Sequence, residues 1–189
     1  DPASGRAAVA RRLEVEVAFT GRDGRNDPAG PARPLPASFA QLVDREVLGR
    51  DAAAAAAAPG TYLLVCPDDP AVLAAVEDLA RWRRRQGHAV EVVTTAETGT
   101  SNVAIRGWLQ DRYATSDPPL EFVTLVGDAD GAVSIPAWRE NESGYGGEGD
   151  HAYARLDGDD VLADVHLGRL SVSSVAELQT VVAKIVAYE

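Results

Sequence analysis

A short acidic segment, residues 157–164, carries the densest set of potential metal ligands in the chain. It reads Asp-Gly-Asp-Asp-Val-Leu-Ala-Asp, so carboxylates alternate with small and apolar residues. Calcium takes about six to eight oxygen ligands from carboxylates and carbonyls, and Gly158 could supply the bend that wraps them around one ion. Asp and Gly are also ordinary turn residues, and the spacing is not that of an EF-hand. The spacing alone leaves a calcium loop and a solvated acidic turn both open.

A second carboxylate motif follows an apolar run at Val126-Gly127-Asp128-Ala129-Asp130-Gly131. An Asp-x-Asp-Gly after a buried strand resembles the nucleophile loop of haloacid-dehalogenase-type phosphatases, which would make Asp128 the nucleophile and Mg²⁺ its partner. In that family the motif follows the first strand, whereas here it follows the third predicted one. The only lysine, Lys184, lies in a predicted helix. Asp128 is therefore favoured as a structural carboxylate or metal ligand, with a Mg²⁺-dependent phosphatase as an alternative.

Nucleophilic cysteine chemistry has little support in these residues. Cys66 is the only cysteine, so no disulfide can form within the chain, and it ends an apolar run typical of a buried strand. None of His88, His151 and His166 has a spacing that promises a dyad with it. Cys66 is predicted to be a core residue, and the chain contains no Walker A, Gly-x-Ser-x-Gly, His-Glu-x-x-His or Cys/His zinc motif.

Regular alternation of strands and helices must position these groups. Apolar runs predict strands at residues 62–66, 89–93 and 122–126, and helical periodicity fills the two intervals between them. Asp69 is the predicted N-cap of the first of these helices, which Gly87 ends, and Ser101 caps the second. The pattern predicts an α/β fold, a short parallel sheet flanked by helices, whose ligands would lie beyond the carboxyl ends of the strands.

The remaining segments are less regular. Residues 143–149 are predicted to be a flexible Gly-rich loop, and residues 152–156 and 165–167 short strands on either side of the acidic turn. Ser174 and Glu177 form a capping box at the start of a last helix.

Residues 1–59 are predicted to be a tail and linker that precede an α/β subdomain at residues 60–189. The alternating residues 12–19 predict a strand, a Gly- and Pro-rich loop follows, and Ser38 is the predicted N-cap of a short helix. Residues 52–58 are polyalanine. The apolar content is too low for a separate core, so this part is a β-containing N-terminal extension.

Composition excludes several classes of function. The 18 Lys and Arg against 29 Asp and Glu give a net charge of −11, a poor match to nucleic acid or anionic lipid. No apolar run approaches the roughly 20 residues of a membrane span. Residue 1 is not Met and no signal peptide is visible, as expected of a processed or excised chain.

The second half of the chain carries a family resemblance. The segments Asp150-His151-Ala152-Tyr153-Ala154-Arg155-Leu156-Asp157-Gly158-Asp159-Asp160, Asp164-Val165-His166-Leu167-Gly168-Arg169-Leu170 and Lys184-Ile185-Val186-Ala187-Tyr188-Glu189 resemble gingipain-type cysteine peptidases. Phe122–Asp128 and Ile135-Pro136-Ala137 fit the same family in the same order. The resemblance covers roughly residues 61–189 and implies the first α/β subdomain of a caspase-like catalytic domain.

The resemblance also implies roles for particular residues. In the family the catalytic His and Cys lie in the second subdomain, and neither of their motifs is in this chain, so no catalytic residue is expected here. The family's calcium ligands correspond to the carbonyls of Asp157 and Leu162 and the carboxylates of Asp160 and Asp164, with Asp128 at a further acidic calcium position. Residues 13–50 are similar to the end of the family's propeptide, with Arg50-Asp51 a candidate processing junction.

The hypothesis that follows is a non-catalytic subdomain of a secreted or cell-surface cysteine endopeptidase. Its partner would be the catalytic subdomain of the same enzyme, which it would stabilise with the help of Ca²⁺ and through which it would meet protein or peptide substrates. The alternative is a stand-alone calcium-binding scaffold or a degenerate peptidase module.

Overall fold

The structure is a computed structural model that describes residues 34–46, 58–142 and 145–189, together with residues 12, 14–16 and 18; it leaves out the side chains of residues 140–146. The predicted strand at residues 12–19 and the junction at Arg50-Asp51 fall largely or wholly outside the described residues.

The chain divides into two compact units, Asp1–Arg33 and Pro34–Glu189. In chain order the described elements are α1 (Ala37–Glu46), β1 (Thr61–Cys66), α2 (Pro70–Arg85), β2 (Ala89–Thr94), α3 (Thr95–Thr98), α4 (Asn102–Thr115), β3 (Leu120–Val126), β4 (Trp138–Glu142), β5 (Tyr145–Gly149), a 3₁₀ turn (His151–Tyr153), β6 (His166–Leu170) and α5 (Val175–Tyr188).

A parallel sheet in the order β2-β1-β3-β6 forms the centre of the second unit. Every residue of β1 is buried, because this strand lies inside the sheet and helices cover both faces. The register pairs Val65 with Val93 of β2 and with Leu125 of β3, so the carboxyl ends of the strands lie together. The predicted α/β class and parallel sheet are confirmed.

Two hydrophobic clusters hold helices on opposite faces of this sheet. On one face, Leu64 and Val126 pack with Val76 of α2 and Leu178 of α5. On the other, Leu63 and Leu125 pack with Ile105 and Leu109 of α4 and with Tyr153 of the 3₁₀ turn. Alternate residues of each strand therefore serve different helices, as the strand period of two requires.

Local capping sets the ends of the helices as the sequence predicts. Asp69 accepts a hydrogen bond from the amide of Ala71 at 2.8 Å, with Pro70 as the first residue of α2. Ser101 caps α4 through the amide of Ala104, and Ser174 caps α5 through the amide of Glu177. The Glu177 carboxylate accepts from the amide of Ser173, so the last capping box closes one residue earlier than the ideal pattern.

Three local predictions were wrong. The Gly-rich segment at residues 145–149 is the second strand of an antiparallel hairpin with β4, because a ladder of backbone hydrogen bonds needs no side chains. Residues 152–156 are not a strand. Three of their five carbonyls accept from α4 side chains, since Arg106 donates to Ala152 and Arg155 and Gln110 donates to Leu156.

The third wrong prediction concerns α1. Ser38 was predicted to be its N-cap, but the helix begins at Ala37 and the amide of Ser38 donates to the Glu121 carboxylate at 2.8 Å. A distant side chain therefore replaces the local cap. In the described part of the chain, no helix combines the length and the apolar character needed to cross a bilayer.

Candidate functional site

The carboxyl end of the sheet brings together residues from three separate stretches of sequence. Gly127 and Asp128 follow β3, Arg169 lies in β6, and Asp150 follows the hairpin. Asp128, Asp150, Arg169 and Ser171 help line a cavity of about 240 Å³ at this edge. Ligands of open parallel sheets usually occupy this edge, as the sequence analysis anticipated.

Arg169 is the centre of this cluster. Its guanidinium donates to both oxygens of Asp150, at 2.7 and 2.6 Å. Its Nη1 also donates to the carbonyls of Gly127, Asp128 and Ile135 at 2.7–3.1 Å. The side chain is 11% exposed, so these bonds form away from most of the solvent. The planar fork of arginine can serve a carboxylate and several carbonyls at once, which suits Arg169 to fix the loop after β3.

Two neighbouring groups hold the Asp128 side chain in place. Its Oδ1 accepts hydrogen bonds from the Ala129 amide and the Ser171 hydroxyl, both at 2.9 Å. These bonds, the amide first, hold the pKa of the Asp128 carboxyl below its usual range. The side chain therefore stays ionised at neutral pH, as a structural carboxylate or a metal ligand must.

The acidic turn at residues 157–164 leads directly into β6 and forms its own hydrogen bonds. Oδ2 of Asp164 accepts from the amides of Leu156 and Asp157 at 2.6 and 2.9 Å. Oδ1 of Asp160 accepts from the amide of Leu162 at 2.8 Å, and the Asp160 carbonyl accepts from Arg155. One oxygen of each carboxylate is thus committed to the fold of the turn.

The donor chemistry of this turn fits a hard cation such as calcium. Within the described residues, the carbonyls of Asp157 and Leu162 and the second oxygens of Asp160 and Asp164 accept no hydrogen bond. All four are oxygen donors of the kind calcium takes. Among the same residues, no three His, Cys, Asp or Glu side chains lie close enough to share a metal. Asp128 bonds to Ala129 and Ser171, not to this turn.

Cys66 has the properties of a core residue. Its side chain is 0% exposed at the end of β1, and burial raises the pKa of its thiol to about 12. The three histidines bond elsewhere: His88 to the Gly60 carbonyl, His151 to the Val161 carbonyl and His166 to the Ser38 hydroxyl. The prediction that Cys66 is a core residue is confirmed.

Sequence reasoning placed Asp128 at the correct edge but missed the role of Arg169. Its partners lie 19 to 42 residues away along the chain, beyond the reach of local patterns. The available signal was the arginine itself, because a charged residue between Gly168 and Leu170 in a predicted parallel sheet needs a partner when it is buried.

These features define a parallel α/β domain whose only thiol is buried. The chain belongs to peptidase family C25, whose family model matches residues 55–189. It is 27% identical to Lys-gingipain of Porphyromonas gingivalis over 199 aligned positions, which cover 100% of this chain and 11% of that protein. It is 29% identical to gingipain R2 of the same organism over 117 positions, covering 60% of this chain and 15% of that one.

Solved structures agree with this assignment. A protease structure matches at a TM-score of 0.59 and 27% identity, covering 68% of this chain and 28% of that one. A complex of the pro- and mature domains of Porphyromonas gingivalis RgpB matches at a TM-score of 0.58 and 25% identity, covering 68% of this chain and 29% of that one. The crystal structure of the Arg-specific cysteine proteinase gingipain R matches at a TM-score of 0.58 and 24% identity, covering 68% of this chain and 28% of that one. This match shows that the fold is shared. The chain is a gingipain-type cysteine peptidase region that spans a small part of these proteins.

Proposed function

We propose that this chain is the non-catalytic part of a gingipain-like cysteine endopeptidase and that it supports a catalytic subdomain carrying the Cys-His dyad. The observation that carries the proposal is the state of Cys66: a family defined by cysteine peptidases is represented here by a chain whose only cysteine is buried and protonated. A thiol with a pKa of about 12 has almost no thiolate at neutral pH, so the nucleophile must come from elsewhere.

The proposed enzyme acts outside the cell on proteins or peptides, as the gingipain resemblance suggests. Residues 1–59 would contribute the end of its propeptide. The proposed role of the chain itself is structural. A sheet whose central strand β1 is fully buried, with its carboxyl end fixed by Arg169, offers a firm base for a catalytic neighbour.

Substituting Cys66 tests the catalytic half of this proposal. In the enzyme from the source organism, Cys66→Ala is expected to leave cleavage of a protein substrate within about twofold of the unaltered enzyme, because the thiol does no chemistry. Thermal melting of the variant checks that the fold is kept. A folded variant without activity would contradict the proposal.

We also propose that the acidic turn binds calcium through the carbonyls of Asp157 and Leu162 and the carboxylates of Asp160 and Asp164. Calcium would neutralise a segment in which four carboxylates repel one another. It would also fix the entry to β6, because Asp164 already joins the two ends of the turn. The proposed role is stability, since the ion would bind the folded turn and not the unfolded chain.

A pair of matched variants tests the calcium site. Asp160→Ala should abolish the rise in melting temperature that added Ca²⁺ gives to the unaltered chain. In excess chelator it should cause only the smaller loss that follows from removing the hydrogen bond with the Leu162 amide. Asp159→Ala removes the same charge from the same turn without removing a proposed ligand, so it should keep most of the rise. Equal losses for Asp160→Ala with calcium and with chelator would refute the calcium role.

A further inference from the structure

A second cavity lies at the amino end of the sheet, on the face that also packs against α2 and α5. Its volume is about 250 Å³, and it is at the opposite end of the strands from the cavity at Asp128. Strands β1, β3 and β6, helix α2 and the turn before β2 contribute its lining, which includes Tyr62, Arg83, His88, Phe122, His166 and Gly168. Aromatic rings and a guanidinium group therefore meet in one small space.

A missing side chain leaves room in this cavity. Gly168 is in the middle of β6, where it pairs with Thr124 of β3. A Cβ built on Gly168 would meet nothing within 4 Å beyond its chain neighbours. Glycine weakens the interior of a strand, and it often marks a place where a ligand or another backbone comes close. Gly168 therefore keeps open a part of the sheet face that any other residue would fill.

Aromatic rings form one wall of the cavity. The Phe122 ring stacks on Tyr62 at 5.6 Å and on His166 at 5.0 Å, measured between ring centroids. The His88 ring meets Phe122 edge-on at 5.3 Å. The row follows from the register, because Phe122 pairs with Tyr62 on one side and with His166 on the other. Rings in such a row offer faces and edges against which a further aromatic group can pack.

Arg83 brings an unused hydrogen-bond donor to the same place. Its side chain is 18% exposed, and its guanidinium carbon lies 5.0 Å from the centre of the Tyr62 ring. Both Nη atoms donate to neighbouring side chains, Glu189 among them. Nε is buried and has no hydrogen-bond partner among the described residues. Buried donors are rarely left unpaired in native proteins, and a guanidinium N–H bonds best to an anionic acceptor.

We propose that this cavity binds a small aromatic carboxylate. The ring of the ligand packs beside Phe122 in the space over Gly168, and its carboxylate accepts a hydrogen bond from Nε of Arg83. An apolar wall with a small number of placed polar groups is the usual form of a small-molecule site. The site is independent of the proposed peptidase role, because none of its groups contributes to that role.

Titration of the full chain with phenylacetate tests the proposal, and phenylacetamide is the neutral probe of the same shape. NMR follows the ring protons of the three histidines. Phenylacetate should cause saturable shifts at His88 and His166, with a dissociation constant of about 0.1–1 mM, which is ordinary for a ligand of this size. His151, whose ring bonds to the Val161 carbonyl in the acidic turn, should not shift. Phenylacetamide should bind at least about tenfold more weakly, because it carries no charge for Arg83.

Two variants and one control locate the site. Gly168→Val fills the cavity and leaves every polar group in place, so it should abolish binding without lowering the melting temperature. Arg83→Lys keeps a positive charge beside Glu189 but has no Nε, so phenylacetate should then bind about as weakly as phenylacetamide. Gly149→Val makes the same change in β5, where an added Cβ also meets nothing within 4 Å, and it should change the affinity less than about twofold.

Several results would overturn the proposal. Equal affinities for phenylacetate and phenylacetamide would show that no anion is recognised, and the absence of saturable shifts would show that there is no site. Equal shifts at all three histidines, or an unchanged affinity in Gly168→Val, would show that the probe binds elsewhere. The two variants change different elements, so either one decides the question if the other does not fold.

Discussion

At the scale of single residues, the buried charged side chains Arg169 and Glu121 use their hydrogen bonds to hold the main chain in place. Arg169 is the clearest case, because five hydrogen bonds connect it to one carboxylate and three carbonyls. Glu121 is the acidic counterpart, with both oxygens on main-chain amides. Both residues are largely buried, so removing either partner would leave polar groups without solvent.

The structure predicts a large effect of a conservative change at Arg169. Arg169→Lys should lower the free energy of unfolding by about 2–4 kcal/mol, because an ammonium group cannot serve Asp150 and three carbonyls together. Urea denaturation measures this loss. The control is Arg139→Lys. The Arg139 side chain pairs with Glu148 and is 74% exposed, so the free energy of unfolding should change by less than about 0.5 kcal/mol. Equal effects at the two sites would contradict the role given to Arg169.

Residue-level features could be predicted only where their partners are local. Asp69, Ser101 and Ser174 were identified as caps because each bonds to an amide two or three residues away. Ser38 is of a type that often caps helices, but it is the second residue of α1 and its amide bonds to Glu121, 83 residues away. No local pattern contains that information, so the cap assigned to Ser38 was wrong.

At the scale of elements, the turn at Gly127 positions Asp128 at the edge of the sheet after β3. Gly127 has a φ of +118°, and a Cβ at that position would lie 2.7 Å from the Val133 carbonyl. The close approach allows the Asp128 amide to bond to the Val133 carbonyl at 3.0 Å. Glycine is therefore required here for both conformation and space.

A pair of glycine substitutions tests that requirement. Gly127→Ala should destabilise the fold by about 2 kcal/mol or more, through backbone strain together with the clash. Gly107→Ala makes the same change inside α4, where an added Cβ meets nothing within 4 Å. It should stabilise the fold by about 0.5–1 kcal/mol, since alanine is the better helix former. Thermal melting would expose an error if both variants moved in the same direction.

The elements that were predicted correctly share one property, which is strong periodicity in their own residues. The apolar run of β1 is sufficient to predict a buried strand. The spacing of Val72, Val76 and Leu79 is sufficient to predict the helix α2. The β4–β5 hairpin has no such pattern, because the glycines of β5 contribute only backbone. Residues 152–156 have a strand-like composition, but Arg106 of α4 bonds to their carbonyls.

At the scale of the whole molecule, the proposed role of the chain is to support a catalytic subdomain. The sheet is fully covered at its centre, the single thiol is buried, and the three histidines bond to carbonyls and a hydroxyl. The chain covers 11% of Lys-gingipain, so most of such a protein lies outside these residues. The family resemblance could suggest this proposed role because its motifs occur in order along residues 122–189. The geometry of the described residues could not suggest it.

The most direct test of the central claim is native mass spectrometry of the protein purified from its source and treated with iodoacetamide. The account predicts that residues 1–189 occur with further polypeptide, covalently joined or separate, and that the labelled thiol lies in that further part. Cys66 should stay unlabelled because the pKa of its thiol is raised to about 12. A folded particle of 19.9 kDa alone, without a reactive thiol, would contradict the claim and leave a scaffold with a peptidase fold.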